Sequence, residues 1–195
     1  MVDQARKPAT YADLEAVPPH LVAEIIDGTL YTQSRPVRRH GIAAGALSSE
    51  LRTPFQKGRG GSGGWLFIDE PELHFGIQVV VPDIAGWRME RATFDQYSAQ
   101  TTVAPDWVCE VLSPSTARFD RGRKGKIYAL AGIKHYWILD PQNKTLEAFA
   151  LFDDDWRAIG VSASGDAVSF APFESIAFAF DDLFPLDPLT PPQDA

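Results

Sequence analysis

The sequence predicts a mixed α/β fold, in which helices pack against a sheet. Its composition is ordinary for a folded soluble domain, since 45% of the 195 residues are hydrophobic and 23% are charged. The stretch HGIAAGALSSELRTPF carries apolar residues at the spacing of one helix face, at Ile42, Ala46, Leu47 and Leu51. Short apolar runs with the character of strands follow it, at 65–69, 73–81 and 106–112. Helices that alternate with such strands predict a mixed α/β layer.

The remaining elements extend this layer at both ends. TYADLEAV predicts a short helix, and HLVAEIIDGTLYTQS predicts two strands joined at Asp27-Gly28, a strong two-residue turn signal. TARFDRGRKGKIYALAG predicts a helix that ends at Gly132, and KHYWILD predicts a strand at 134–140. The segments TLEAFALF and AVSFAPFESIAF predict further strands that extend or flank the sheet.

Length and cysteine content limit the organisation of the chain. We expect a single domain over residues 1–195, with a disordered proline-rich tail at 186–195. Cys109 is the lone cysteine, which excludes a disulfide framework and fits a reducing compartment. No apolar run approaches the ~20 residues of a membrane span, and the N-terminus lacks an apolar signal core. We therefore expect a cytoplasmic protein with no membrane partner.

The charge is distributed unevenly along the chain. The net charge is −8, but residues 145–195 hold ten acidic residues and one basic residue, while the rest is nearly neutral. Basic residues cluster in RPVRRH at 35–40 and in RFDRGRKGK at 118–126. These clusters fit either a nucleic-acid contact or an ordinary solvated surface, and the acidic C-terminal part disfavours tight nonspecific duplex binding.

Several common sites are excluded by their missing motifs. The loop KGRGGSGG is followed by Trp65 and Leu66, whereas a phosphate-binding Walker loop needs Lys and Ser or Thr. The sequence also lacks the G-x-S-x-G pattern of hydrolases with a serine nucleophile. The four histidines have no zinc-site spacing with the lone cysteine.

Two apolar strand candidates each carry one carboxylate, Asp83 in VVVPDIAGW and Glu110 in DWVCEVLSP. We expect the strand to end at Pro82 and Asp83, where the proline interrupts the ladder and frees the aspartate. Two carboxylates about 4 Å apart repel by about 4 kcal/mol at an effective dielectric of ~20. If Asp83 and Glu110 point to the same place, either one of them stays protonated or a divalent cation lies between them. Oxygen ligands favour Mg²⁺ or Mn²⁺ over zinc.

The helix after Glu110 adds a lysine to this pair. Asp120, Lys124 and Tyr128 follow at four-residue intervals and therefore share one helix face. A surface Asp-Lys pair worth ~0.2–0.5 kcal/mol is the alternative interpretation. Gly122 and Gly125 weaken this helix by ~1 kcal/mol each, which fits either a close approach to phosphate or a frayed first turn.

The segments VPDIAGW and PDWVCEVLSPSTARFDRGRKGKIYALAGIKHYWILDP resemble the Uma-two family, within the PD-(D/E)XK nuclease superfamily. HLVAEIIDGTLY and RRHGIAAGALSSEL are similar to the family's N-terminal segment and first core helix, so the resemblance covers roughly residues 10–150. It implies a restriction-endonuclease-like core of four central strands flanked by helices, with an added N-terminal hairpin and C-terminal strands.

The resemblance also implies a site. Asp83 and Glu110 would be the metal ligands, and the catalytic lysine would be Lys124, since Leu112 stands where the superfamily name expects it. Lys126 is a less suitable substitute because it does not share the face of Asp120 and Tyr128. Glu24 matches a family position and could add a third carboxylate, or only pair within its hairpin.

Three further residues carry alternative interpretations, His40, Tyr136 and Trp137. His40 could contact a phosphate at the helix start, or be an ordinary helix-start residue. Tyr136 and Trp137 are expected in the core rather than stacked on bases.

Two functional hypotheses follow. The first is a DNA endonuclease that uses Mg²⁺ or Mn²⁺, and the second is a nuclease-like module that binds or regulates without turnover. A third, the hydrolysis of a sugar bond between two carboxylates, needs a sugar cleft for which the sequence gives no sign. We also expect a homodimer that engages two strands, with AVSFAPFESIAF as the segment to examine for the interface.

Overall fold

The structure is a computed structural model that describes residues 7–34, 37–113 and 120–186. Its N-terminal part folds as a helical turn followed by a hairpin. Helix α1 spans Tyr11–Glu15, and Thr10 caps it in a reciprocal pair with Asp13. Strands β1 (Leu21–Ile26) and β2 (Thr29–Ser34) pair antiparallel. Asp27 and Gly28 join them with φ of 51° and 72°, the left-handed pair of a type I′ turn, as predicted.

Helix α2 spans Arg38–Leu51 and continues as a π-helical turn at Arg52–Gln56. Its buried face, with Ala43, Leu47 and Leu51, packs into the main core, which confirms the predicted helix. The glycine-rich loop after it folds back onto the π turn. A side chain at Gly61 would lie 2.5 Å from Pro54 Cβ, so only glycine allows this approach.

The larger sheet forms the centre of the fold and has the order β11-β10-β9-β8-β6-β3. Its strands span Trp65–Asp69 (β3), Ile84–Arg88 (β6), Trp107–Val111 (β8), His135–Asp140 (β9), Thr145–Phe152 (β10) and Asp155–Ala163 (β11). Strands β8 and β9 run parallel, so the chain must cross over between them, and the helix Gly125–Leu130 (α3) lies in that crossover. The hairpin β10–β11 extends the sheet beyond β9, and the mixed α+β architecture that the sequence predicts is confirmed.

The smaller sheet contains the N-terminal hairpin and has the order β2-β1-β5-β4-β7. Its other strands span Glu72–Phe75 (β4), Gln78–Val80 (β5) and Gln100–Thr101 (β7). The prediction of one strand over 73–81 is wrong, because the chain turns back between β4 and β5. Gly76, with φ of 64°, makes this turn, and Leu73 then pairs with Val80.

The expected strand end at Asp83 is also corrected. The three residues 81–83 form a crossover between the two sheets, and Asp83 directly precedes β6 of the larger sheet. Ile84 pairs with Cys109, so Asp83 stands at the level of Glu110 on the neighbouring strand β8. Asp83 is therefore an entry residue of the core sheet rather than the last residue of the strand before it.

Among the described residues, the lysine-bearing segment contains a π-helical turn at Asp120–Lys124 that continues as α3 over Gly125–Leu130. Gly132, with φ of 75°, follows the end of the helix, as predicted. The start of the predicted helix falls in 114–119, outside the described residues. A Cβ atom at Gly125 would lie 3.5 Å from Tyr136 and 3.7 Å from Trp156, at ordinary van der Waals contact distance.

Between β11 and residue 186, the described part of the C-terminal segment contains short elements. Ala167–Val168 (β12) and Phe178–Ala179 (β13) form a small antiparallel pair, so the predicted strand over AVSFAPFESIAF is confined to its two ends. Two 3₁₀ turns complete the described elements, at Met89–Arg91 and Phe180–Leu183. The predicted disordered tail at 186–195 lies almost wholly outside the described residues and stays a prediction.

Two apolar cores cover the two faces of the larger sheet. The main core, on one face, holds Trp107, Cys109 and Trp137. The second core, on the other face, holds Val108, Tyr128 and Tyr136. The assignment of Tyr136 and Trp137 to the core is confirmed, since they are 2% and 0% exposed. Within the described ranges, no helix is both long and apolar enough to cross a membrane.

Candidate active site at the crossover between the sheets

Glu110 is a buried carboxylate in the middle of the core sheet. Strand alternation turns its neighbours Cys109 and Val111 into one core and leaves Glu110 on the opposite face, towards the second core. Its side chain is 3% exposed. Glu110 Oε1 lies 2.8 Å from Lys124 Nζ and accepts a short hydrogen bond from the Tyr128 hydroxyl. Lys124 thus contributes a cation, and Tyr128 a neutral donor, to the contacts of this carboxylate.

Lys124 connects the two sheets. It ends the π-helical turn before α3, and its side chain is 2% exposed. Lys124 Nζ lies 3.0 Å from Glu24 Oε1 of the smaller sheet and 2.8 Å from Glu110 Oε1 of the larger one. It also donates to the carbonyl oxygen of Val81 at 3.0 Å. A buried ammonium needs such compensation, because desolvation of an ion is expensive.

Tyr128 is a buried hydroxyl that donates to Glu110. It lies one helical turn after Lys124 on the same face, as the four-residue spacing predicts, and it is fully buried. Burial raises the pKa of its hydroxyl well above the usual value, and the charges of Glu110 and Glu24 raise it further. The hydroxyl therefore keeps its proton over the physiological range.

Asp83 occupies the entrance of the same region. Asp83 Oδ2 accepts a hydrogen bond from the backbone N–H of Val111 at 2.7 Å, which fixes it beside the residue that follows Glu110. Asp83 Oδ1 lies 3.0 Å from His40 Nε2 on the first turn of α2. The Asp83 side chain is 17% exposed, more than Glu110 or Lys124. Of Asp83, Glu110 and Lys124, Asp83 is therefore the side chain most accessible to solvent.

An open cleft of about 260 Å³ lies between α2 and the crossover. Its lining residues are His40, Gly41, Ala44, Gly45, Asp69, Glu70 and Asp83. A second cleft of about 340 Å³ shares Gly45 and Asp69 with it and reaches Arg52 and Lys57. Asp69 itself is paired with Arg52, at 2.9 Å. Of the carboxylates Glu24, Asp83 and Glu110, Asp83 is thus the one that lines the first cleft.

The structure brings six of the residues singled out in the sequence into this network. Direct contacts join Glu24, Glu110, Tyr128 and Lys124, Asp83 contacts His40, and the Val111 N–H links Asp83 to the strand of Glu110. Lys126 is exposed and lies off this face. The Asp120 side chain is outside the described residues. Leu112, where a superfamily lysine would stand, is buried in the second apolar core. The catalytic and metal-binding roles remain predictions.

Sequence reasoning missed two parts of the site. The Val81 peptide carries no side-chain signal, yet its N–H donates to Glu24 Oε1 at 2.8 Å and its carbonyl accepts from Lys124. Glu70 lines the cleft and has a left-handed backbone with φ of 49°. Its N–H donates to the carbonyl oxygen of Asp83 at 3.0 Å. Neither contact has a pattern that could be read without the fold.

The residues present fit a divalent cation in charge and in donor type. Asp83 and Glu110 offer carboxylate oxygens, the ligands that hard divalent cations prefer, and Glu24 adds a third carboxylate beside Lys124. These three carboxylates and the Lys124 ammonium leave two formal negative charges when His40 is neutral. Among the described side chains, no three His, Cys, Asp or Glu residues are already arranged around one metal position. A metal would therefore require the carboxylates to exchange some of their present contacts.

The comparisons with known proteins agree on the fold and the family. The model of the Uma-two family, described as "Putative restriction endonuclease", matches residues 8–181. An uncharacterized protein of Synechocystis sp. is 28% identical over 149 residues, which cover 72% of this chain and 73% of that protein. The crystal structure of "a putative nuclease belonging to DUF820" from Anabaena variabilis superposes with a TM-score of 0.74 at 20% identity. It covers 91% of this chain and 98% of its own.

Proposed function

This chain belongs to the Uma-two family of restriction-endonuclease-like proteins, and from that premise we propose that it is a divalent-metal-dependent endonuclease acting on DNA. The proposed reaction is the hydrolysis of a phosphodiester bond. The family indicates a nuclease and, in general terms, the use of a divalent metal. The choice of Mg²⁺ or Mn²⁺, the DNA substrate and the residue roles below belong to the proposal.

The observation that carries the proposal is the contact chain between Asp83, Glu110 and Lys124. Three segments far apart in sequence bring these residues together: the crossover between the sheets, strand β8 and the turn before α3. Asp83 is fixed to the N–H of Val111, the residue after Glu110, and Glu110 is held by Lys124 at 2.8 Å. Two carboxylates and a lysine at one end of adjacent core strands are the groups that metal-assisted hydrolysis needs.

In this proposal Asp83 and Glu110 hold Mg²⁺ or Mn²⁺. The metal, when bound, would polarise the phosphate and lower the pKa of a coordinated water. Lys124 supplies a positive charge beside the carboxylates, where it can stabilise negative charge that develops on the phosphate oxygens. Tyr128 orients Glu110, and His40 orients Asp83 at the cleft through which a phosphate group would enter.

One observation favours the alternative, a nuclease-fold module that binds without turnover. Lys124 is 1% exposed and is held by Glu24, Glu110 and the Val81 carbonyl. An amine in these contacts has no direct path to an external phosphate. Catalysis requires a rearrangement that frees Lys124 from part of this network, whereas a binding module requires none.

A homodimer remains part of the proposal, because a second copy would allow both strands of a duplex to be cut. The predicted interface segment AVSFAPFESIAF packs much of its apolar surface into the core of its own chain. Val168, Phe173 and Phe178 are buried in the main core. Light scattering coupled to size-exclusion chromatography tests the dimer, and a monomer at every concentration would refute it.

A cleavage assay tests the proposed function. Purified protein is incubated with labelled single-stranded and double-stranded DNA, with Mg²⁺ or Mn²⁺ and with a chelator. We expect cuts that need the metal and that disappear in Asp83→Asn, Glu110→Gln and Lys124→Met. Lys126→Met is the matched control and should cut at the wild-type rate, because Lys126 is exposed and off the site face. Metal-dependent DNA binding without any cleavage would favour the binding module.

A further inference from the structure

Glu24, Lys124 and the Val81 peptide form a closed set of hydrogen bonds ahead of Asp83. Glu24 Oε1 accepts the N–H of Val81 at 2.8 Å and lies 3.0 Å from Lys124 Nζ. Lys124 Nζ in turn donates to the carbonyl oxygen of Val81 at 3.0 Å. The side chains of Glu24 and Lys124 are 6% and 2% exposed. Buried charged groups therefore hold both the N–H and the carbonyl of Val81.

The chain from Val81 to Asp83 has little conformational freedom. The ring of Pro82 fixes its own φ and restricts the backbone of the preceding Val81. The carbonyl oxygen of Asp83 accepts the N–H of Glu70 at 3.0 Å, which holds the far end of the segment. This segment crosses from the smaller sheet to the larger one. The position of Val81 therefore determines the position of the Asp83 backbone, from which its side chain extends.

The exchange rate of the Val111 amide reports on the position of the Asp83 side chain. The N–H of Val111 donates to Asp83 Oδ2 at 2.7 Å. This amide belongs to strand β8, far from Glu24 in sequence, and its protection from exchange depends on the placement of Asp83. A disturbance at Glu24 can reach it through the Val81 to Asp83 segment.

We propose that Glu24 is a positioning residue for Asp83, acting through the Val81 peptide and Lys124 rather than as a metal ligand. Its carboxylate sets the distance between the smaller sheet and the crossover, and Asp83 is thereby held beside Glu110. This assignment rests on the proposed function only in its consequence for metal binding. The positional claim concerns the protein without metal or DNA.

Amide hydrogen exchange measured by NMR tests the positional claim. Glu24→Asp keeps the charge but shortens the side chain by one methylene, while Glu24→Gln keeps the length and the acceptor oxygen. We expect Val81 and Val111 to exchange about ten times faster in Glu24→Asp and at nearly the wild-type rate in Glu24→Gln. Glu72→Asp is the matched control in the same sheet, because its described contacts are with Tyr11 and His74.

Two exchange results would overturn the proposal. The first is unchanged exchange of Val111 in Glu24→Asp, whether or not Val81 is affected. The second is an equal acceleration of Val111 and of the Phe149 amide on β10, since that would reflect a general loss of stability rather than the placement of Asp83. Either result can be read even if the protein proves to have no nuclease activity.

Calorimetric titration with Mn²⁺ separates positioning from ligation. We expect Glu24→Gln to bind Mn²⁺ within about threefold of wild type, and Glu110→Gln to lose binding. Loss of binding in Glu24→Gln as complete as in Glu110→Gln would make Glu24 a ligand and contradict its assignment as a positioning residue. Wild-type protein that binds no Mn²⁺ would count against the proposed function, and the exchange data would then decide the role of Glu24.

Discussion

Lys124 Nζ lies 2.8 Å from Glu110 Oε1, in a pair whose two side chains are 2% and 3% exposed. The same ammonium contacts Glu24 at 3.0 Å, so one buried cation is shared by two buried carboxylates from different sheets. Such a network is costly to break, because the loss of the cation leaves uncompensated charges in the protein interior. It links the stability of the fold to the residues proposed for the chemistry.

Lys124→Met should destabilise the protein strongly. The substitution leaves Glu24 and Glu110 without their shared cation, which typically costs about 3–5 kcal/mol for a buried pair. Urea unfolding at neutral pH measures the change in the free energy of unfolding. Lys126→Met is the control, and its free energy should stay within about 0.5 kcal/mol of wild type because the residue is exposed. Equal stability of the two variants would show that the network does not hold the sheets together.

His40→Ala should weaken metal-dependent activity through Asp83. His40 Nε2 lies 3.0 Å from Asp83 Oδ1, and the loss of a group that orients a metal ligand typically costs about 10–100-fold in metal affinity or activity. Mn²⁺ affinity and the cleavage rate measure the effect. His74→Ala is the control, since His74 pairs with Glu72 instead. A His40→Ala protein with unchanged Mn²⁺ affinity and cleavage would remove His40 from the site.

Alkaline pH should reveal two tyrosines that resist ionisation. Burial and the hydrogen bond to Glu72 raise the pKa of Tyr11 to about 12, and burial raises the pKa of Tyr128 well above 10. Because both pKa values are higher in the folded state, their contribution to stability is complete below pH 10 and is lost as the pH rises through the folded values. Absorbance at 295 nm should show delayed ionisation of these groups, and the free energy of unfolding should fall above pH 10. Ionisation of all five tyrosines near pH 10 in folded protein would contradict this.

The Cys109 thiol should be unreactive until the protein unfolds. It is fully buried, and burial raises its pKa, with a further rise from the charges of Asp83 and Glu110. A chromogenic disulfide reagent should therefore label the single cysteine at the rate of unfolding. Rapid stoichiometric labelling of folded protein at pH 8 would show that the core beside Asp83 opens easily.

Local signals in the sequence predict the elements around the site well. Asp27-Gly28 specifies the first hairpin, and the four-residue spacing places Lys124 and Tyr128 on one face. Strand β6 was missed because it is buried on both faces and shows no alternation, with Gly86 at its centre. Strand β11 was missed because it is an edge strand exposed along most of its length. Such strands have no periodic pattern to read.

The position of Asp83 depends on the tertiary structure rather than on a local pattern. Pro82 correctly marked an interruption, but the three residues at 81–83 pass from one sheet to another instead of leaving the sheet. The Val81 peptide contacts come from the backbone and cannot be read from residue types. The sequence therefore supplied the candidate residues, while the fold determines which of them touch.

The central claim is that Asp83 and Glu110 share one divalent cation. Anomalous diffraction from a crystal soaked in Mn²⁺ tests this most directly. We expect one strong peak about 2.0–2.2 Å from a carboxylate oxygen of each residue, with Lys124 moved away from Glu110 Oε1. The absence of a peak at these two residues, in crystals where Mn²⁺ binds only elsewhere on the surface, would contradict it.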